Sequence, residues 1–176
     1  IPPERVRVVA KYIGGAFGCK GQTWPHVFIA AMAAKVVGRP VKIALERPQM
    51  TGGVGYRTPT IQRIELGAER DGCLRGIVHE TTSQTSLYGE FAEPTSLVTR
   101  MLYASPNYRA RASLARLNVP LPTYMRAPGE SVGLFAFESA MDELACAAGL
   151  DPIELRLRNY AERDPDSGKP FTSKSL

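Results

Sequence analysis

The chain is organised around residues 14–21, a stretch of eight residues with the sequence Gly-Gly-Ala-Phe-Gly-Cys-Lys-Gly. Glycines cluster where the backbone takes positive φ angles or comes close to a group that a side chain would block. The stretch lies between an alternating segment and an apolar one, so we expect a loop that joins a strand to a helix. A tight turn without a ligand explains these residues as well as a binding loop does.

Two familiar phosphate-binding patterns do not fit this glycine loop, as we call residues 14–21. A P-loop needs Gly-Lys followed by Ser or Thr, but here Cys19 precedes Lys20 and Gly21 follows it. A dinucleotide fingerprint begins with two glycines one residue apart, whereas the glycines here are spaced by three. The spacing therefore argues against an ATP-binding domain and against a Rossmann-type domain.

Length and composition indicate an ordinary globular chain. With 176 residues, of which 44% are hydrophobic and 22% charged, it can form one domain with a sizeable core or two small lobes. The net charge of +5 comes from basic residues scattered among acidic ones, without a basic run or an aromatic platform. No apolar stretch reaches the length of a membrane span. We therefore expect no nucleic acid partner and no membrane span.

Neither the cysteines nor the histidines have the spacing of a metal site. The chain has three cysteines, Cys19, Cys73 and Cys146, and no two of them are close enough in sequence to form a metal-binding pair. The odd number and the wide spacing argue against a zinc site, a disulfide framework or an iron–sulfur cluster. His26 and His79 each lack a second histidine or cysteine at ligand spacing. We interpret Cys19 as a small buried hydrophobe.

The first third of the chain predicts a strand, a helix and a second strand. Residues 5–8 alternate charged and apolar side chains, as a half-buried strand does. Residues 24–37 are apolar on nearly every face, which predicts a buried helix. Residues 41–45 have the composition of a buried strand, and the glycine-containing residues 46–56 predict an irregular loop.

The middle of the chain predicts a hairpin followed by a long loop. Apolar runs at 61–66 and 74–78 flank Asp71-Gly72, which is a turn signal. Residues 81–107 are then mostly polar and without clear periodicity. We expect a loop that lies on the surface or lines a site, because long loops in compact domains are often functional.

The last third predicts a strand and two helices. Residues 108–119 form the strand, and residues 130–148 form a helix with an apolar stripe that Gly149 ends. Asp151 has the position of an N-cap for a second helix that reaches about residue 163.

These elements predict an α+β fold in which the helix of residues 24–37 packs against a mixed sheet and two helices follow at the C-terminal end. We divide the domain into residues 1–80 (strand, glycine loop, helix, strand and hairpin), 81–107 (the long loop) and 108–176 (strand, second loop and two helices).

The second loop reads Tyr-Met-Arg-Ala-Pro-Gly-Glu over residues 124–130 and also leads into a helix. With GGAFGCKG, WPH, VGRPVKI and MRAPGE before LFAFESAMDELA, the chain resembles the large molybdenum-binding subunit of the xanthine dehydrogenase and aldehyde oxidase family. The resemblance covers essentially the whole chain, in the same order, and is closest to bacterial members that oxidise aldehydes or isoquinoline. It implies that the chain is an internal fragment of a molybdopterin-binding catalytic domain and is inactive alone.

The resemblance also implies cofactor contacts. Gly15, Ala16, Phe17, Gly18 and Arg126 match residues that bind the molybdopterin. Of these, Phe17 and Arg126 match residues that lie against the ligands of the molybdenum, which the pterin dithiolene holds without a protein side chain. The glutamate that acts as the family's base belongs to a later Gly-x-Gly-Glu segment, so we assign no catalytic residue here.

Three further positions match the substrate pocket of the family: Gly21, Arg100 and Pro128. An arginine at the place of Arg100 contacts substrate in purine-oxidising members, although a simple salt bridge explains an arginine equally well. Those members carry glutamate where this chain has Gly21 and a stacking phenylalanine where it has Pro128. The loss of both groups argues against tight purine binding.

The resemblance therefore implies a molybdenum hydroxylase that oxidises aldehydes or aromatic N-heterocycles with oxygen from water. The implied cofactor is molybdopterin in its cytosine dinucleotide form, with an Fe-S partner subunit and possibly an FAD subunit to carry electrons away. Family members occur in the bacterial cytoplasm and in the periplasm. We expect this protein in the cytoplasm, with the periplasm as the alternative. The alternatives are a xanthine or purine dehydrogenase and a non-enzymatic binding or scaffold domain.

Overall fold

The computed structural model of the chain describes residues 1–165 and 167–174. Residues 166, 175 and 176, which belong to the predicted region 108–176, lie outside the described residues. The helices are α1 (Pro25–Val37), α2 (Arg47–Gly53), α3 (Leu97–Leu102), α4 (Glu130–Ala148) and α5 (Pro152–Arg158). The strands are β1 (Thr60–Ala68), β2 (Leu74–Ser86) and β3 (Tyr108–Leu117).

The three strands form one mixed sheet in the order β1-β2-β3. β1 and β2 are antiparallel and are joined by the predicted hairpin, where Gly72 has a φ of 88° and Asp71 Oδ1 accepts a hydrogen bond from the Cys73 N–H. β2 and β3 are parallel, with Ile77 opposite Tyr108. The predicted α+β fold with a mixed sheet is confirmed.

The main core lies between this sheet and α4. Phe137, Met141 and Ala145 follow one another at intervals of four and are completely buried, as the predicted stripe requires. They pack with Ile77 of β2 and with Leu155 of α5. This packing fixes α4 on the sheet and thereby fixes the position of the loop that precedes α4.

α5 begins as predicted and ends earlier. The Asp151 carboxylate caps it by accepting hydrogen bonds from the Ile153 and Glu154 N–H groups. The Glu154 side chain pairs with Arg158. The helix ends at Arg158, before the predicted residue 163.

A polar network ties α5 to α4. Glu138 accepts hydrogen bonds from the Tyr103 hydroxyl at 2.8 Å and from Arg156 Nε at 2.6 Å. Arg156 also contacts Asp142 at 2.8 Å. Burial, and then the hydrogen bond to Glu138, raise the pKa of the Tyr103 hydroxyl, so it donates to this carboxylate as a neutral group.

One face of β2 is buried but polar. His79, Thr81, Ser83 and Thr85 alternate along the strand and are all buried. Two of these hydroxyl groups have partners in the segment between β2 and β3: Thr81 bonds to Thr95 at 2.6 Å, and the Thr85 hydroxyl accepts from the Phe91 N–H. These bonds hold that segment against the sheet.

His79 is the most buried ionisable group of this face. Its Nε2 lies 2.9 Å from Gln62 Oε1, while the Gln62 amide donates to Thr60 and to the Val132 carbonyl. The Gln62 side chain is oriented by the bond from its NH₂ group to the Val132 carbonyl, so its oxygen faces His79 and accepts from Nε2–H. Nδ1 of His79 then accepts a hydrogen bond from the Thr99 hydroxyl at 2.8 Å. Burial lowers the pKa of His79.

The N-terminal part of the chain differs from the prediction. The segments 5–8 and 41–45 form no strand, because neither has a described neighbour to pair with. α1 contains no buried residue and does not pack against the sheet, and it is α4 that covers β1. The predicted burial of the helix of residues 24–37 was wrong. An apolar helix is buried only where another part of the structure packs against it, and the sheet does not pack against α1.

Two predicted loops contain regular structure. Within residues 46–56, α2 begins with a capping box in which the Glu46 N–H donates to Gln49 Oε1. Within the predicted long loop of residues 81–107, β2 continues to Ser86 and α3 follows. Hydroxyl side chains conceal the alternation of β2, because they are polar and yet buried.

None of the helices that the structure describes is long and apolar enough to cross a membrane.

We expect His79 to make stability depend on pH. Since its pKa is lower in the folded than in the unfolded chain, its contribution is complete above about pH 6.5 and is lost as the pH falls toward the folded pKa. Below pH 6.5 the parent should lose at most about 1.4 kcal/mol per pH unit through this group, and His79→Gln should lose less. Urea unfolding at pH 5 to 8 measures the difference, and equal slopes for the two proteins would contradict the assignment.

Candidate functional site

The glycine loop and the second loop, residues 124–129, meet through their backbones. We call the second one the arginine loop. The Arg126 N–H donates a hydrogen bond to the Phe17 carbonyl at 2.8 Å. The structure therefore brings together the two stretches that the sequence singled out, although they belong to opposite halves of the chain.

Gly18 allows this contact. Its φ is 95°, and a Cβ atom built on it would lie 3.0 Å from the Tyr124 carbonyl oxygen and 3.2 Å from the Met125 Cα. A side chain would therefore be strained in its own conformation and would press on the other backbone.

The glycine loop is closed from within. The Gly21 N–H donates to the Gly18 carbonyl at 3.0 Å, and the Trp24 indole donates to the Cys19 carbonyl at 2.6 Å. Lys20 Nζ donates to the Gly15 carbonyl at 3.1 Å. Cys19 is buried, as expected, and packs beside Trp24.

The outer side of the loop offers hydrogen-bond donors. Within the part of the chain that the structure describes, the N–H groups of residues 14–18 donate no hydrogen bond. Phe17 has a φ of 50° and an exposed ring, so the backbone turns sharply here. Successive free N–H groups at such a turn suit an anionic or oxygen-rich ligand.

The arginine loop is also sharply turned. Ala127 has a φ of 59° and Gly129 a φ of 81°, directly before α4 begins. The side chain of Arg126 is exposed and makes no hydrogen bond or ion pair with the described residues. A guanidinium in this position offers a fixed set of donors and a permanent positive charge.

Sequence reasoning missed two residues that hold the arginine loop. Arg57 donates to the Arg126 carbonyl at 2.5 Å and forms an ion pair with Glu93 at 3.0 Å. Glu93 in turn accepts from the Gly129 N–H at 2.7 Å. No local pattern could have found these residues, because only the folded chain brings them beside the loop.

A cavity of about 410 Å³ lies beside the glycine loop, between it and the first two helices. Polar and apolar side chains both line it: Lys20, Gln22, Trp24, His26, Val27, Ile43, Leu45, Met50 and Val54. Four buried polar atoms lack a partner among the described residues: His26 Nδ1, Glu93 Oε2, Thr123 Oγ1 and Glu130 Oε2. His26 lines this cavity, and Thr123 and Glu130 flank the arginine loop. Glu93 binds the arginine loop through the Gly129 N–H.

The three predicted substrate-pocket residues are placed differently. Gly21 and Pro128 are exposed parts of the two loops, and a Cβ at Gly21 would meet the Tyr124 hydroxyl at 2.6 Å. Arg100 is half-buried in α3 and interacts with other groups of the chain. A substrate contact for each of the three stays a prediction.

The junction of the two loops fits an oxygen-rich cofactor. The free N–H groups, the exposed guanidinium of Arg126 and the close approach at Gly18 supply donors and no metal ligand. The described residues contain no group of three or more histidine, cysteine, aspartate or glutamate side chains that could hold a metal ion. A metal bound here would need ligands from elsewhere, as a pterin dithiolene provides.

Comparisons with known proteins give the same family along the whole chain. The chain is 40% identical to the aldehyde oxidoreductase molybdenum-binding subunit PaoC of Escherichia coli (strain K12) over 177 residues, which cover 100% of this chain and 24% of that protein. It is 32% identical to the putative xanthine dehydrogenase molybdenum-binding subunit XdhA of the same strain, over 100% of this chain and 24% of that protein. The chain thus spans about a quarter of the length of these relatives.

Among solved structures, the aldehyde oxidoreductase of Desulfovibrio gigas matches with a TM-score of 0.74 and 28% identity, over 90% of this chain and 17% of that one. Quinoline 2-oxidoreductase of Pseudomonas putida 86 has the same fold, with a TM-score of 0.75 at 22% identity over 84% of this chain and 20% of that one. The profile of the molybdopterin cofactor-binding domain matches residues 1–160. The chain therefore belongs to the molybdopterin cofactor-binding domain family, and it is similar to the molybdenum-binding subunits named above.

Proposed function

We propose that the protein containing this chain is a molybdenum hydroxylase that oxidises aldehydes or aromatic N-heterocycles with oxygen from water. The observation that carries this proposal is the junction of the glycine loop and the arginine loop, where Arg126 donates to the Phe17 carbonyl. The junction offers backbone donors and a guanidinium together, at residues that the family resemblance matches to cofactor contacts.

The residues of this chain would bind and orient the cofactor. The N–H groups of Gly15, Ala16, Phe17 and Gly18 would donate to its oxygen atoms, and the ring of Phe17 would cover it. Arg126 would place its guanidinium against the oxygen ligands of the metal. When bound, the molybdenum and its pterin supply the redox centre at which a substrate carbon gains oxygen from water and gives up two electrons.

The cofactor in this proposal is the cytosine dinucleotide form of molybdopterin. The electrons would leave through an Fe-S subunit and possibly an FAD subunit, since the similar E. coli proteins are named as single subunits of their enzymes. We place the complex in the cytoplasm, with the periplasm as the alternative.

Aldehydes are favoured over purines by two positions. Gly21 offers no carboxylate to orient a purine, and Pro128 offers no aromatic ring on which a purine could stack. The 40% identity to an aldehyde oxidoreductase subunit agrees with this choice. The second candidate is a purine dehydrogenase, which the 32% identity to a putative xanthine dehydrogenase subunit favours.

Metal and nucleotide content test the proposed cofactor. We expect close to one molybdenum per polypeptide by mass spectrometry of the full-length native complex, and cytidine monophosphate after acid hydrolysis. A well-folded native complex with neither molybdenum nor pterin would instead indicate a binding or scaffold domain.

Substrate preference tests the proposed reaction. We expect kcat/KM for benzaldehyde or isoquinoline to exceed that for xanthine by roughly tenfold or more, because the groups that orient a purine are missing. Steady-state rates with the three compounds measure this, and a clear preference for xanthine would refute the aldehyde and N-heterocycle assignment.

The contact between the loops can be tested at Gly18. Gly18→Ala should cost about 1–2 kcal/mol for the left-handed conformation and, in addition, push the two backbones apart. We expect the molybdenum content of the purified protein to fall severalfold. Gly38→Ala is the matched control, since Gly38 also has a positive φ of 65° but its Cβ would meet nothing within 4 Å.

Both variants should lower the melting temperature, and only Gly18→Ala should lower the molybdenum content. Equal molybdenum contents in the two variants would show that the close approach at Gly18 does not matter for the cofactor.

A further inference from the structure

Glu93 is a buried carboxylate that the proposed function does not use. Its side chain has no exposed surface, and a carboxylate is costly to bury unless it is paired. Among the described residues, Oε1 accepts two hydrogen bonds, one from the Gly129 N–H at 2.7 Å and one from Arg57 Nη1 at 3.0 Å. The carboxylate is therefore bound to the end of the arginine loop and to one arginine.

Arg57 divides its donors between this carboxylate and the same loop. Its Nη2 donates to the Arg126 carbonyl at 2.5 Å, and its Nη1 also lies 3.4 Å from the Ala127 carbonyl. The pair of Arg57 and Glu93 thus contacts the loop at residues 126, 127 and 129, which surround Pro128.

The arginine loop needs external support because its conformation is unfavourable locally. Ala127 has a φ of 59°, which is uncommon for a residue with a side chain. It also precedes Pro128, and the proline ring favours an extended conformation for the residue before it. The sequence of the loop therefore does not select the observed backbone by itself.

The supports act on both sides of Arg126. Its N–H is bound to Phe17 and its carbonyl to Arg57, so both peptide groups that flank its Cα are fixed. Fixing them sets the direction in which the exposed guanidinium leaves the backbone.

We propose that Glu93 and Arg57 are positioning residues that hold the arginine loop in the conformation in which Arg126 meets the cofactor. The proposal rests on the proposed function, since it assigns Arg126 to a molybdenum–pterin cofactor. A purely structural alternative is that Glu93 stabilises the fold by binding the N-terminal end of α4.

To test the proposal, we would measure two quantities for the full-length complex of each variant: the content of molybdenum and pterin per polypeptide, and the melting temperature of the complex. Glu93→Gln keeps an oxygen that can accept from both Gly129 and Arg57, so we expect a content within about twofold of the parent. Arg57→Met combined with Glu93→Gln removes the donors to the loop carbonyls without leaving an unpaired buried charge. We expect this double variant and Arg126→Ala each to lose molybdenum at least fivefold.

A second comparison separates positioning from independent effects. If Arg57 and Glu93 act through Arg126, adding Arg126→Ala to the double variant should cause no further loss of molybdenum. Losses that multiply would overturn the proposal, as would a double variant with the parent's content. A Glu93→Gln content as low as that of the double variant would also overturn it.

Glu138→Gln is the structural control, because the hydrogen bonds that the Glu138 carboxylate accepts come from Arg156 of α5 and from Tyr103, and neither residue belongs to the two loops. It should lower the melting temperature and leave the molybdenum content unchanged. Loss of molybdenum in this control equal to that of the double variant would support the purely structural alternative and overturn the proposal.

A parent complex without molybdenum or pterin would overturn the proposed function and this proposal together. A loaded parent with unaffected variants would overturn this proposal alone.

Discussion

The backbone contact between Phe17 and Arg126 is the constraint on which the candidate site depends. It favours a glycine at position 18, since the φ there is 95° and a Cβ atom would press on the backbone of Tyr124 and Met125. It also requires α4 to keep its place, because the arginine loop is the segment directly before that helix. Burial of Phe137 and Met141 against the sheet meets this second requirement, so a nondirectional apolar core ultimately sets the geometry of a polar site.

The polar face of β2 adds hydrogen bonds, which are directional, to this apolar packing. Its hydroxyl groups bond to Thr95, Phe91 and the Gly89 carbonyl, which lie on either side of Glu93. Apolar packing alone would allow this segment to slide, whereas hydrogen bonds accept only one register. The buried hydroxyls of the sheet thus determine where the carboxylate of Glu93 lies. Through Arg57 they also influence the arginine loop.

Local signals predicted those parts of the structure that local physics decides. The Asp71-Gly72 turn, the stripe of α4 and the Asp151 cap were all read correctly from the sequence. The strands at 5–8 and 41–45 were not, because pairing depends on a neighbour that composition cannot supply. For the site, the sequence identified both loops, but Arg57 and Glu93 carry no motif and become partners only through the fold.

Helix α1 has a consequence for how the isolated chain would behave in solution. Phe28, Ile29 and Met32 are more than half exposed, as are Val36 and Val37. An exposed apolar surface of this kind favours self-association or binding by chaperones over a dispersed monomer. The exposed apolar side chains of α1 would then contribute to the colloidal behaviour of residues 1–176, and a partner that covers them would reduce self-association.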